Sequence, residues 1–148
     1  MTSLNEESIR QALAGDMLVG REVRVLPEVG STNDYLKEAA RGGAPEGLAV
    51  LAERQTAGKG RLGRSFQSPA GLGLWMSVLL RPACPPERLP PVTALTATAC
   101  AGAIREVCGA EVGVKWPNDL VLDGRKLCGI LTELESGGEG LALVIGIG

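Results

Sequence analysis

The chain of 148 residues contains no histidine. That absence excludes histidine-centred catalytic triads, histidine metal sites and imidazole general bases, so any proton chemistry falls to Lys, Asp, Glu or the substrate. Aromatic residues are scarce: one Phe, one Tyr and two Trp make up 3% of the chain. Beyond Phe66, none of them interleaves with the basic stretch at 52–69, so the stacking platform of a single-strand nucleic-acid binder is missing. Basic excess is missing too, because 15 Lys and Arg face 17 Asp and Glu for a formal net charge of −2. A surface devoted to polyanions carries the opposite balance. No apolar run approaches the roughly 18 residues of a membrane span. The cysteines Cys84, Cys100, Cys108 and Cys128 lack CxxC spacing, and the start "MTSLNEESIR" lacks the basic and apolar regions of a signal peptide. These absences lead us to expect free thiols in a reducing cytoplasm, with no metal site, no membrane and no nucleic-acid partner.

What is present suits one globular domain, with 45% apolar and 22% charged residues. A chain of this length can bury about 68–70% of its unfolded surface. Residues 3–14 read as a short helix that Gly15 ends, so 1–20 form an N-terminal helix and linker. "REVRVLPEV" alternates as a strand, and "STNDYLKEAARGG" follows as a helix with Ser31 and Asp34 at capping-box spacing and Gly42 and Gly43 as the stop. "GLAVLAE" and "GLGLWMSVLLRP" read as buried strands, and the glycine-rich basic stretch joins their ends. Between Glu87 and Cys108, the residues Val92, Leu95, Ala99, Ala103 and Val107 recur three or four apart, which predicts the main core helix, stopped by Gly109. "VGVKW" reads as a strand, and "LVL-DG-RKLCGIL" as a hairpin, since Asp-Gly suits both left-handed positions of a type I′ turn. "SGGEG" joins "GILTELE" to "LALVIGIG" as a looser hairpin. Helices between strands plus consecutive hairpins predict a mixed α+β sheet rather than a purely parallel one.

The stretch "AERQTAGKGRLGRSFQSP" raises three phosphate-binding readings. Gly58, Gly60 and Gly63 satisfy GxGxxG, but a dinucleotide fingerprint needs a helix to begin inside it, and Ser68-Pro69-Ala70-Gly71 follows instead. A Walker A loop fails because Glu53 and Gly60 occupy the positions that need Gly and Ser or Thr. What remains is a flexible loop whose backbone N–H groups can approach an anion, with Lys59, Arg61 and Arg64 to neutralise it. Its plain alternative is a solvated basic loop. In "KWPNDL", Lys115, Asn118 and Asp119 surround a proline just past a strand end, which by itself also suits an ordinary turn. Lys126 shares strand parity with Cys128, Ile130, Thr132 and Leu134, which predicts that it points to the apolar face. Gly129 in mid-strand marks a bulge or a close approach to the backbone.

Taken in order, "STN" at 31–33, "ERQTAGKGRLGRSFQSP", "KWPNDL", "KLCGIL" and "VIGIG" resemble the motifs of the catalytic domain of biotin protein ligases, from about Val25 to Gly148. The resemblance implies a mixed, mostly antiparallel sheet with helices packed on one side, of the class II aminoacyl-tRNA synthetase type, over residues 21–148. It implies a ligase reaction in two steps: biotin and Mg-ATP give biotinyl-AMP, and a lysine of a biotin carboxyl carrier protein takes the biotinyl group. By position, Ser31, Thr32, Asn33 and Gln55 would bind biotin, and Gly58, Lys59, Gly60 and Arg61 would close over biotinyl-AMP. Arg64, Phe66 and Asn118 would lie with Gly60 on the nucleotide side. Lys126 would stand between the biotin carboxylate and the α-phosphate, with Gly129 against the ligand. Asp119, with Lys115 in the same motif, would orient a cation or help deprotonate the incoming lysine.

The chemistry suits those roles, since a carboxylate attacking a phosphate brings two anions together and fixed cations offset the repulsion. No histidine is required, because the carboxylate is already ionised at pH 7. Two positions depart from the family pattern: Lys59 stands where arginine is usual and Phe66 where tryptophan is usual. Lysine gives up the bidentate grip and phenylalanine some stacking area, which predicts weaker nucleotide retention. Ending at "VIGIG", the chain is expected to lack the family's further strands and C-terminal barrel. With only a short helix before Val25, DNA repression is not expected. Alternative readings are a lipoyl or octanoyl transferase of the same fold and a non-catalytic biotin-binding module.

Overall fold

The computed structural model describes residues 3–13 and 15–148; Ala14, the last residue of the expected N-terminal helix, and residues 1 and 2 of the expected N-terminal helix and linker lie outside the described residues. In chain order the elements are α1 (Glu6–Ala12), β1 (Glu22–Leu26), α2 (Thr32–Arg41), β2 (Leu48–Ala52), β3 (Trp75–Leu80), α3 (Pro91–Cys108), β4 (Gly113–Lys115), β5 (Asp119–Leu122), β6 (Arg125–Gly137) and β7 (Gly140–Ile147). They fall into two compact units, one of residues up to Pro82 with Thr132–Gly148, the other Ala83–Leu131. Strand β6 contributes its second half to the first unit and its first half to the second.

In the first unit the strand order is β1-β2-β3-β7-β6. Strands β1 and β2 pair in parallel, while β2 with β3 and β3 with β7 are antiparallel, so the sheet is mixed as the sequence predicts. Side chains two apart share a face. The registers Val50↔Ser77↔Gly146 and Leu79↔Val144 therefore place Leu48, Val50, Ser77, Leu79, Ala142, Val144 and Gly146 on one face. Helix α2 lays Leu36 and Ala40, one turn apart, against the aliphatic part of that face, and these residues make the core. Its start follows from Ser31, whose hydroxyl accepts the Asp34 N–H at 3.4 Å, and Gly42 caps its end.

Helix α1 lies along the outer edge of β1. Glu6 Oε1 accepts the Val25 N–H at 2.9 Å and Arg10 donates to the Val23 carbonyl at 3.0 Å, so a pair one helical turn apart covers backbone groups that an edge strand leaves open. The helix closes at Leu13, two residues before Gly15.

In the second unit β4, β5 and β6 form an antiparallel meander in the order β6-β5-β4, with α3 against β4 and β5. Asp123 and Gly124 have φ of +50° and +75°, as a type I′ turn requires. Helix α3 ends at Gly109 in the left-handed region, as expected. Its role as the main core helix does not hold: Ala97 is the one residue of α3 that is buried, while Leu95 and Val107 are 66% and 83% exposed. The sequence of α3 is alanine-rich on every side, so a three-to-four spacing can be traced along more than one face and selects none. The second hairpin is tighter than expected, because β6 continues to Gly137 and leaves only residues 138–139 before β7. All four cysteines are free, and burial pushes the Cys100 thiol up.

Replacing the fully buried Leu36 by Ala should cost about 2–5 kcal/mol in denaturant melts. Replacing Val107 by Ser should change stability by no more than about 0.5 kcal/mol; a core-sized loss there would contradict the exposed α3 face.

Candidate functional site

The motif at 31–33 and the basic stretch are brought together by backbone pairing. Beyond the ends of β1 and β2 the parallel ladder continues, with Val29 N–H on the Arg54 carbonyl, Thr56 N–H on that of Val29 and Ala57 N–H on that of Gly30. Gln55 is thereby set beside the N-terminus of α2. Its Oε1 accepts both the Thr32 N–H at 2.8 Å and the Thr32 hydroxyl at 3.0 Å, and its Nε2 donates to Ser68 Oγ at 2.8 Å. Ser31, Thr32 and Asn33 are each only 3% exposed.

Beneath them lies a residue that sequence reasoning missed. The Ser77 hydroxyl, fully buried in β3, is 2.7 Å from Thr32 Oγ1 and 2.6 Å from Asn33 Oδ1. Asn33 Nδ2 donates to Glu133 Oε2 at 2.8 Å, and Lys37 Nζ donates to the other oxygen of Glu133 at 3.1 Å. Gly146 makes room for this, since a Cβ there would stand 2.4 Å from Asn33 Oδ1. The available signal was a polar residue inside the apolar run "LWMSVLL", but which groups it meets depends on pairing distant in sequence.

The basic stretch is an ordered flap rather than the flexible loop expected. Gln55 N–H bonds to the Ser68 carbonyl, Phe66 N–H to that of Gly58 at 2.8 Å and Gly60 N–H to that of Arg64 at 2.7 Å, while Lys59 bridges Ser65. Its tip is a 3-10 turn at Arg61–Gly63, with Leu62 and Gly63 at φ of +58° and +72°. The N–H groups of Gly60, Arg64 and Phe66 are thus committed inside the flap rather than turned to an anion. Arg61 and Arg64 are exposed at the tip, and Phe66 packs edge to face on Trp75 at 6.0 Å. Lys59 reaches back to α2, 2.8 Å from Asp34 Oδ1 and 2.6 Å from Oδ2.

Asp34 also lies 3.1 Å from Lys37. Burial pushes the Asp34 carboxyl up, but the hydrogen bonds and charges of Lys59 and Lys37 outweigh it, so its pKa lies below the ordinary carboxylate value. Burial likewise pushes Lys37 down, and the hydrogen bonds of Glu133 and Asp34 reverse the sign, leaving it above the ordinary lysine value.

In the second unit the predicted orientation of Lys126 is corrected by a β-bulge. Leu120 pairs with Cys128, but Val121 pairs with Lys126, so Leu127 is the extra residue. Paired residues share a face and adjacent ones do not; Lys126 therefore lies with Val121, Asp119 and Gly129, opposite the buried Leu120, Cys128 and Ile130. The alternation rule counted one residue too many. Lys126 Nζ stands 3.1 Å from the buried Asp119 Oδ1, within ion-pair distance but off the direction of an aligned hydrogen bond. Asn118 is fixed by its carbonyl, which accepts the Ile130 N–H at 2.8 Å, and Lys115 is exposed on β4 opposite Asp119. The bulge is two residues before Gly129, the position that sequence reasoning considered.

The two glycines at the base of the flap should separate. A Cβ on Gly58 would stand 2.3 Å from the Phe66 carbonyl oxygen, whereas one on Gly60 has 3.5 Å to its nearest neighbour. Gly58→Ala should therefore lower the melting temperature and loosen the flap, seen as faster proteolysis within 55–68, and Gly60→Ala should do neither. The ion network gives a pH signature. The lowered Asp34 contributes stability above the ordinary carboxylate range that is lost as pH falls through its folded value; the raised Lys37 contributes below the ordinary lysine range and is lost as pH rises through its folded value. Wild-type stability should lose a component at each extreme, and Lys37→Met should remove the alkaline one while costing about 1–3 kcal/mol at neutral pH in denaturant melts.

Residues 25–148 match the model of the biotin/lipoate A/B protein ligase family. The bifunctional ligase/repressor BirA of Bacillus subtilis is 39% identical over 146 residues, covering 98% of this chain and 45% of that protein. A biotin–[acetyl-CoA-carboxylase] ligase of Mycobacterium tuberculosis is 38% identical over 136 residues, covering 88% of this chain and 51% of that protein. Among solved structures, the biotin protein ligase of Aquifex aeolicus in complex with biotin and ATP superposes with a TM-score of 0.74 at 35% identity, over 86% of this chain and 51% of that one. The chain spans about half the length of the curated relatives it matches. Matched over most of its residues by the family model and by relatives well above 30% identity, the chain belongs to the biotin/lipoate A/B protein ligase family.

Proposed function

We propose that residues 21–148 carry the catalytic chemistry of a biotin protein ligase: adenylation of biotin by Mg-ATP, then transfer of the biotinyl group to a lysine of a biotin carboxyl carrier protein. The observation that carries this reading is the preformed Thr32–Gln55–Ser68 cluster at the base of a basic flap. An amide held at both ends beside two hydroxyls offers donors and acceptors in fixed directions, as recognition of a ureido ring demands. The binding of biotin and ATP by the Aquifex relative supports it.

In the first step a biotin carboxylate oxygen attacks the α-phosphorus, the bond to the β-phosphate bridge breaks and pyrophosphate leaves. In the second, the carrier amine attacks the acyl carbon, AMP departs and the amine gives up its proton. Ser31, Thr32, Gln55 and Gly58 bind the biotin head; Asn33, whose amide is engaged by Ser77 and Glu133, holds them in place. Lys59, Gly60, Arg61, Arg64 and Phe66 cover the adenylate, with Asn118 on the nucleotide side. Lys126 offsets charge where carboxylate meets phosphate, Gly129 leaves room beside it, and Asp119 with Lys115 serves the incoming amine. An amine of pKa about 10.4 needs a base or desolvation to attack at neutral pH.

Incubating the chain with biotin and Mg-ATP should yield biotinyl-AMP and pyrophosphate. Lys126→Ala should lower adenylate formation by about 10²–10³-fold, the loss on removing one charge-stabilising group. Its melting temperature should fall as the buried Asp119 Oδ1 loses its cation, so turnover is compared at a temperature where the variant stays folded. Unchanged turnover removes Lys126 from its role. Adenylation of lipoate with biotin ignored would move the assignment to a lipoyl enzyme, and biotin binding without pyrophosphate release would reduce it to a binding module.

A further inference from the structure

The flap meets α2 at two places of unequal strength. At its base, Gln55 is hydrogen-bonded to the buried Thr32, with Gln55 itself partly covered. Along its arm, the Lys59 ammonium is held by both oxygens of Asp34, and these side chains are 44% and 43% exposed. A half-exposed ion pair is weak and is screened by salt, whereas a hydrogen bond between uncharged groups is affected little. The two contacts are linked through the protein. From Lys59 the chain of contacts runs through Asp34, Lys37, Glu133, Asn33, Ser77 and Thr32 to Gln55, returning to the flap it started from. Asp34 is the member of this circuit that touches the arm, and Lys37, pinned to Glu133, steadies its carboxylate from the other side.

We propose that Asp34 is the positioning residue of the flap: by holding Lys59 it keeps the arm against α2, and release of that pair is the opening step. An anionic ligand approaching the flap competes with Asp34 for the same ammonium, so the pair sets how firmly the flap rests. Asp34 takes no part in bond making. What the flap covers rests on the function proposed above; the latch itself does not.

The test is limited trypsin digestion of the full chain without ligand, following cleavage after Arg61 and Arg64 by mass spectrometry, with cleavage after Arg105 as the reference for general unfolding. Asp34→Asn should raise flap cleavage several-fold at low salt and leave Arg105 cleavage unchanged. Salt near 1 M should bring the wild type to the rate of the variant while the variant hardly responds, because screening then acts over about 3 Å. Asp34→Glu should restore protection. Should Asp34→Asn also raise Arg105 cleavage, Lys59→Gln replaces it and should give the flap-specific increase. Equal flap cleavage in wild type and variant, or an equal salt response in both, overturns the latch. With biotin and Mg-ATP, Asp34→Asn should release biotinyl-AMP several-fold more slowly, because the ammonium then has no carboxylate to return to, with the rate of adenylate formation at saturation retained; unchanged or faster release overturns the competition for Lys59. A wild type that binds no biotin yet shows the salt-sensitive flap overturns the proposed function and leaves the latch standing.

Discussion

The first unit is organised by one buried hydroxyl. Ser77 lies on a sheet face otherwise lined with aliphatic carbon, and an unpaired hydroxyl there would cost about 1–3 kcal/mol. Its partners come from the first turn of α2, where Thr32 and Asn33 present oxygen. That requirement fixes how the helix lies. Asn33 is set over Gly146, the position on the face with no side chain, and Leu36 and Ala40 then fall on Leu48, Val50, Leu79 and Val144. Sliding α2 by a residue would place amide on methyl groups and leucine on a hydroxyl, so polar pairing and hydrophobic burial select the same register.

The site inherits its order from that register. Once Thr32 is placed, its N–H and hydroxyl are aimed at Gln55, which the continued β1–β2 ladder delivers to the same spot. The flap then needs little further anchoring at its base, and the glycine at position 58 lets its two arms close to a distance that a side chain would forbid. Farther out, contacts become exposed and ionic, which grades the flap from fixed to releasable along its length.

Local chemistry was legible in the sequence, and long-range pairing was not. The Ser31 cap, the Asp123-Gly124 turn, the β2 and β3 strands and the Gly109 stop each depend on residues within a few positions, and each is found where spacing puts it. The orientation of Lys126 was misread because one extra residue in β6 inverts every later parity, and nothing in "RKLCGIL" marks Leu127 as that residue. The exposure of α3 was misread because an alanine-rich helix carries no phase. The basic stretch was expected to be pliable for its glycines, yet the same glycines allow the close cross-arm hydrogen bonds that order it. Ser77, Glu133 and Lys37 were missed because their meaning lies in residues about 44 to 100 positions away.

The two lysines given charge-offsetting roles in the proposed function share an electrostatic design. Lys59 rests on Asp34 and Lys126 on Asp119, so each ammonium has a carboxylate beside it. In a chain without histidine and with a small acidic excess, this keeps positive charge positioned without leaving it to repel its neighbours. A fully buried pair would resist giving up its cation, because breaking such a pair costs about 3–5 kcal/mol. Lys59 and Asp34 are instead both close to half exposed, where an ion pair is worth about 1 kcal/mol or less, whereas Lys126 faces a carboxylate oxygen that is buried. An anion can therefore replace Asp34 as the partner of Lys59 at small cost, and the directional precision within the first unit comes from its buried polar groups, Thr32, Asn33 and Ser77, rather than from the charges themselves.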